Sequence, residues 1–238
     1  MHRQRVRTMD ATPIGILMLD TAFPRIPGDM GNAETWPFPV LYRVVRGATA
    51  RKVVLDGAHG LLPEFLAAAR ELVREGARAI TTTCGFLSIY QAELARAVGV
   101  PVATSAMMQV PWVQAMLPPG RRVGLVTVSV STLTPAHLAG AGVPPDTPIV
   151  GIDTAGEFFR VIVNAEKPDL NVALAQQEVV DAARQLLARF PEVGAIVLEC
   201  TNMPPYAAAL QAQTGVPVYD VHSLITWLHA GLCPRRFQ

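Results

Sequence analysis

Compact apolar runs alternate with stretches whose apolar residues recur at helical spacing, and this alternation sets the expected elements. Ile14-Gly15-Ile16-Leu17-Met18-Leu19 reads as a buried strand that closes at Asp20-Thr21. A Pro/Gly-rich segment from Ala22 to Pro39 follows, longer than ordinary connections and so read as a binding or mobile loop. Leu41 to Arg46 and Val53 to Asp56 read as further strands. Leu62, Phe65, Leu66, Ala69, Leu72 and Val73 mark a helix from Leu62 to Arg74 that stops at Gly76. Strand Ala79–Thr82, a helix from Leu87 to Ala97 and strand Val100–Ala103 complete this half.

Pro118-Pro119-Gly120 is the linker candidate, and Val123 to Val128 then repeats the character of the first strand. Helices are expected near Thr132–Ala139, Ala155–Asn164 and Leu170–Arg189. A strand Ala195–Leu198, a helix Pro205–Thr214, a strand Val216–Tyr219 and a last helix Ser223–Ala230 follow. Strands without in/out alternation, separated by helices, predict an α/β fold of mostly parallel sheets covered on both faces. Two pseudosymmetric lobes are expected, residues 1–117 and 118–220, with a cleft between them.

The two halves echo each other without a gap. Ala79-Ile80-Thr81-Thr82-Thr83-Cys84-Gly85-Phe86 matches Ala195-Ile196-Val197-Leu198-Glu199-Cys200-Thr201-Asn202. The same offset of 116 positions carries 84 to 200, Tyr90 to Tyr206, and Gly99-Val100-Pro101-Val102 to Gly215-Val216-Pro217-Val218. Such a repeat implies two units of one design, with a thiol at the same structural point in each.

Composition narrows the classes. Half of the 238 residues are hydrophobic, which supplies a core, and a formal charge of +1 offers no attraction to nucleic acid or an anionic membrane. His2, Arg3, Arg5 and Arg7 precede an apolar run too short for a signal peptide, and no run approaches the roughly 20 residues of a membrane span. A cytoplasmic protein is expected. Three cysteines in a reducing compartment are expected to be free thiols, and Lys52 and Lys167 are the only lysines, which leaves little room for Schiff-base cofactors.

Cys84 and Cys200 fall where a strand gives way to a helix, the edge at which parallel α/β units bind ligands. Backbone N–H groups at a helix start favour a thiolate, so proton exchange near neutral pH is expected of both. The alternative is two buried cysteines acting as small hydrophobes. A zinc site is disfavoured, because neither thiol has a Cys or His at ligand spacing. Cys233 lies outside the repeat.

On these motifs, above all Thr82-Thr83-Cys84 and Leu198-Glu199-Cys200-Thr201-Asn202-Met203-Pro204, the chain resembles the aspartate/glutamate racemase superfamily. Its members include amino-acid and hydantoin racemases, maleate isomerases and arylmalonate decarboxylases. The resemblance runs from Gly15 to about His229 and implies two α/β lobes around a shared site, with the C-terminal segment 221–238 packed back on the first lobe. It implies two-base 1,1-proton transfer between Cys84 and Cys200 on a small carboxylic acid, without cofactor or metal, in a homo-oligomer. Carried over by position, Thr83, Gly85 and Phe86 surround the first thiol, and Thr201 and Asn202 follow the second. Thr127, Ser129, Ser131 and Thr132 form a hydroxyl-rich turn whose plainer reading is a helix cap. Asp20 and Thr21 resemble the acidic and hydroxyl pair of glutamate racemases, although Ala22 stands where those enzymes have glycine. Arg25, in the long loop with Asp29 and Asn32, is a candidate carboxylate clamp, and His222 a candidate partner of Cys200; His59 reads as a turn residue.

Arylmalonate decarboxylases keep only the second cysteine, so Cys84 argues against decarboxylation. The other readings are a lyase or cis–trans isomerase on the same scaffold with a nucleophilic or proton-donating cysteine, and a non-catalytic two-lobed protein that binds a small acid.

Overall fold

A computed structural model describes residues 12–235 and 237. The basic positions His2, Arg3, Arg5 and Arg7 lie outside the described residues. Two four-stranded parallel sheets carry the molecule. The first contains β1 (Ile14–Leu19), β2 (Val40–Val45), β3 (Ala79–Thr82) and β4 (Val102–Ala103), in the order β2-β1-β3-β4. The second contains β5 (Arg122–Thr127), β6 (Ile149–Gly151), β7 (Val193–Leu198) and β8 (Val218–Tyr219), in the order β6-β5-β7-β8. Every strand pair is parallel, and the central strands are buried along almost their whole length, as their unbroken apolar runs require.

The helices are α1 (Ala50–Val54), α2 (Leu62–Arg74), α3 (Gln91–Val98), α4 (Val110–Met116), α5 (Pro135–Gly140), α6 (Val172–Arg189), α7 (Ala207–Thr214) and α8 (Val221–Leu232). The equivalent helices α2 and α6 pack on their sheets through Phe65, Ala69 and Leu72 and through Val179, Ala183 and Leu186. A glycine at the matching point of each first strand admits this approach. A Cβ on Gly15 would lie 3.2 Å from Leu72 Cβ of α2, and one on Gly124 2.7 Å from Leu186 Cδ2 of α6.

The repeat is visible in the hydrogen bonds. Thr83 N donates to Leu17 O and Glu199 N to Val126 O, both at 2.9 Å; Leu87 N donates to Cys84 O and Met203 N to Cys200 O, both at 3.1 Å. Helices α3 and α7 end on Gly99 and Gly215, both in the left-handed region, at φ 65° and 72°.

Three expectations change. Val53–Asp56 is not a strand: Val53 and Val54 end α1, a single turn capped by the Thr49 hydroxyl and too short to show a period. The expected helix at Ala155–Asn164 shrinks to a π-helical turn, Phe159–Val163, closed by Asn164 N donating to Phe159 O. The helix expected from Leu87 begins as a 3₁₀ segment, Gly85–Tyr90, before α3.

The loop Ala22–Pro39 reaches toward the second lobe. Met30 N donates to Thr201 O, and Gly28 packs on Pro205. Helix α8 sits against the first lobe: His222 stacks on Trp36, His229 on Phe38, and Gln109 Nε2 donates to Asp220 O at 2.8 Å. No described helix is long and apolar enough to cross a membrane.

Candidate active site

Both cysteines stand two residues beyond the carboxyl ends of β3 and β7 and line one small cavity of about 20 Å³. Thr21 after β1, Phe23 and Arg25 from the long loop, Thr83 and Cys84 after β3, and Glu199, Cys200 and Asn202 after β7 meet there. Apolar walls come from Leu19, Ala50, Val54 and Val128, and from Ile162 and Val163 of the π-helical turn. The two thiols are free and equally buried, each 7% exposed.

Each thiol has backbone donors from its own turn. Phe86 and Leu87 N–H groups face Cys84, and the Asn202 N–H faces Cys200. These pull thiol ionisation toward neutral pH, as the sequence implies, but desolvation outweighs them. Burial, followed by the nearby Glu199 carboxyl, pushes both thiols above their ordinary value. At neutral pH both are therefore held as thiols.

Glu199 is the functional candidate that the sequence showed only as part of a motif. It is 1% exposed. Its Oε2 accepts from Thr127 Oγ1 at 2.9 Å and Val128 N at 3.4 Å, while Oε1 is buried without a hydrogen-bond partner among the described residues. Burial raises its acid to about 7, against the opposing pull of Thr127 and Val128. Its counterpart by the repeat is Thr83, whose Oγ1 accepts from Leu19 N at 2.9 Å. The two side chains hold the same backbone point in their respective lobes, one with a neutral hydroxyl and one with an acid.

The neighbouring mismatch compensates for this one. Thr201 Oγ1 donates to Thr83 O across the lobes at 2.7 Å. Its counterpart Gly85 faces Glu199, where a Cβ would come within 2.3 Å of Oε1 and 2.5 Å of the backbone O.

The long loop supplies a second chain of contacts. Arg25 donates to Asp29 at 2.9 Å and to Thr21 Oγ1 at 2.7 Å, and its guanidinium lies 4.2 Å from the Phe23 ring centre. Asp29, 3% exposed, accepts from Asn202 Nδ2 at 2.6 Å, and Asn202 Oδ1 accepts from the Cys200 thiol at 3.6 Å. Asp29 was visible in the sequence only as a loop residue.

The remaining candidates lie around this centre. Phe86 is buried with its ring edge-on to His137, 5.0 Å away. Thr127 holds Glu199. Thr132 Oγ1 donates to Ser129 Oγ, and Ser129 and Ser131 are 3.3 Å apart, so these hydroxyls bond one another outside the residues that line the cavity. Asp20 is exposed and accepts from Gly47 N, and His222 is engaged with Trp36, neither of them lining the cavity. Among the described residues no group of three His, Cys, Asp or Glu is arranged to hold a metal ion.

Known proteins resemble this chain to different degrees. Dimethylsulfoniopropionate lyase of Durusdinium sp. clade D is 31% identical over 218 residues, covering 87% of this chain and 70% of that protein. Dimethylsulfoniopropionate lyase 5 of Emiliania huxleyi (strain CCMP1516) is 31% identical over 246 residues, covering 95% of this chain. The chain spans about half the length of that second relative, 48%. Among solved structures, a doubly substituted arylmalonate decarboxylase in liganded form superposes with a TM-score of 0.65 at 17% identity, covering 95% of each chain. Nocardia farcinica maleate cis–trans isomerase with a covalently bound succinylcysteine intermediate gives 0.62 at 16% identity, covering 92% of this chain and 91% of that one. Picrophilus torridus aspartate racemase gives 0.58 at 13%, covering 95% and 96%. These three share the fold of two parallel sheets flanked by helices. The family model for Asp/Glu/Hydantoin racemase matches residues 63–228, which takes in both cysteine turns, and the chain belongs to that enzyme family.

Proposed function

We propose that the chain is a lyase that removes a proton from the carbon beside a carboxylate and expels a leaving group from the next carbon. Dimethylsulfoniopropionate is the leading substrate. The cavity's composition carries this reading: two thiols, a single fixed cation in Arg25, and otherwise mainly apolar walls. One guanidinium suits one carboxylate, and with two nitrogens used on Asp29 and Thr21 it retains further N–H donors. A dicarboxylate would meet no second side-chain cation there, since neither Lys52 nor Lys167 lines the cavity. Apolar walls suit the methyl groups of a sulfonium. The named activity of the two relatives points the same way.

The step balances without a cofactor. A cysteine thiolate takes the α proton, the C–H electron pair becomes the new carbon–carbon double bond, and the β carbon–sulfur bond breaks with its pair leaving on sulfur. Dimethyl sulfide departs neutral and an acrylate remains, so no acid is needed for the leaving group. The proton stays on the cysteine and passes to water after product release. A sulfonium entering the cavity also favours the thiolate through its positive charge, offsetting the burial that holds both thiols protonated.

Two-base racemisation is the second reading, favoured by the equal burial of two thiols on matched turns. Purified protein is incubated with dimethylsulfoniopropionate, with gas-chromatographic detection of dimethyl sulfide. Single enantiomers of small amino acids are followed in parallel in D₂O by optical rotation. Dimethyl sulfide release supports the lyase. Its absence, with deuterium uptake and loss of rotation, selects the racemase.

A further inference from the structure

The two thiols are equivalent in the chain but not in what they touch. Asn202 Nδ2 lies 2.6 Å from Asp29 Oδ2, and a carboxylate oxygen only accepts, so the amide orientation is fixed with Oδ1 toward Cys200. Asp29 cannot turn away easily, because Oδ1 takes the Arg25 guanidinium at 2.9 Å and Gly31 N at 2.7 Å. An amide oxygen accepts from S–H and repels a thiolate. By the repeat, Asn202 corresponds to Phe86, whose ring packs on His137, so among the described residues Cys84 has no such acceptor. Cys84 meets two backbone N–H groups, against the single Asn202 N–H at Cys200, and the positive charge of Arg25.

The other ionisable neighbours do not reverse the difference. Glu199 opposes ionisation of both thiols, while Cys200 also meets Asp29 and Cys84. Tyr206, on the same side as Cys200 and Asp29, is itself held protonated by burial.

We infer that Asn202, locked by Asp29 and Arg25, is a positioning residue that keeps Cys200 a thiol and leaves Cys84 as the base that removes the α proton. The inference rests on the reading of the chain as a proton-abstracting enzyme and assigns unequal roles to its symmetric pair.

Alkylation tests it without substrate. The protein is treated with limiting iodoacetamide between pH 7 and 10, and modification at each cysteine is quantified by peptide mass spectrometry. Whole-residue exposure is the same at both cysteines, and the dependence of the ratio on pH reports thiolate content. Cys84 is expected to react at least about ten-fold faster than Cys200. Asn202→Ala is expected to narrow that ratio several-fold by speeding Cys200. Asp29→Asn, which releases the amide orientation without truncating Asn202, does the same to a smaller extent and serves if Asn202→Ala does not fold. A faster Cys200 in the wild type, or a ratio unchanged in the folded variants, overturns the inference. With dimethylsulfoniopropionate, Cys84→Ser is expected to lose at least a thousand-fold in rate while Cys200→Ser keeps about a tenth; equal losses overturn it. A wild type that releases no dimethyl sulfide refutes the substrate reading alone, since the alkylation ratio still decides the roles.

Discussion

Gly85 and Glu199 occupy each other's space: a Cβ on residue 85 would stand 2.3 Å from Glu199 Oε1 and 2.5 Å from its backbone O. The second contact is with backbone, which cannot rotate aside. Gly85→Ala is therefore expected to displace the turn that carries Cys84, at a cost of about 1–3 kcal/mol. Thermal unfolding measures the cost, and turnover is expected to fall more than the stability loss alone explains. A variant of wild-type stability and activity would show that the two turns are free to separate.

The Glu199 acid makes stability depend on pH with a definite sign. Its ordinary value is 4.5 and its folded value about 7, so the unfolded chain gives up the proton first. Stability associated with the neutral acid is complete below pH 4.5 and is lost as pH rises toward 7. The loss amounts to about 3 kcal/mol for this fully buried group. Glu199→Gln is expected to flatten that slope in denaturation midpoints taken from pH 4 to 8. Parallel slopes would place the proton elsewhere.

Thr201 fastens the lobes where Gly85 leaves room. Thr201→Val keeps the shape and deletes the 2.7 Å bond to Thr83 O, stranding a buried carbonyl. Urea unfolding is expected to report a loss of about 1–3 kcal/mol.

Arg25 is expected to govern affinity for the substrate carboxylate. Arg25→Lys retains charge but loses the planar fork, and an increase in KM of about ten-fold with a smaller change in kcat is expected. An unchanged KM would assign the guanidinium to Asp29 alone.

Much of this architecture was legible because the duplicated halves retained the same sequence signals. The runs ending at Thr82 and Leu198, and the Gly-Val-Pro-Val segments after α3 and α7, located equivalent strands and hence both thiols. Short elements were not legible: α1 is one turn, and the π-helical turn bearing Ile162 and Val163 has too few residues for any period to appear. Glu199 was in plain view, but its importance arises from contacts with Thr127 and Gly85, which lie far from it in sequence. The expectation of readily ionised thiols failed for a related reason: local turn chemistry was readable, whereas the burial that opposes it arises from packing around the whole site.

The bridge from Asp29 to Asn202 joins residues 173 positions apart. In a chain made from its N-terminus, the first cysteine turn and the loop bearing Asp29 exist long before Asn202 is available. Arg25, only four positions away, gives the acid a local partner in the interval. The contact that would separate the two thiols in role therefore depends on the first lobe's loop meeting the second lobe's turn, and not on either lobe alone.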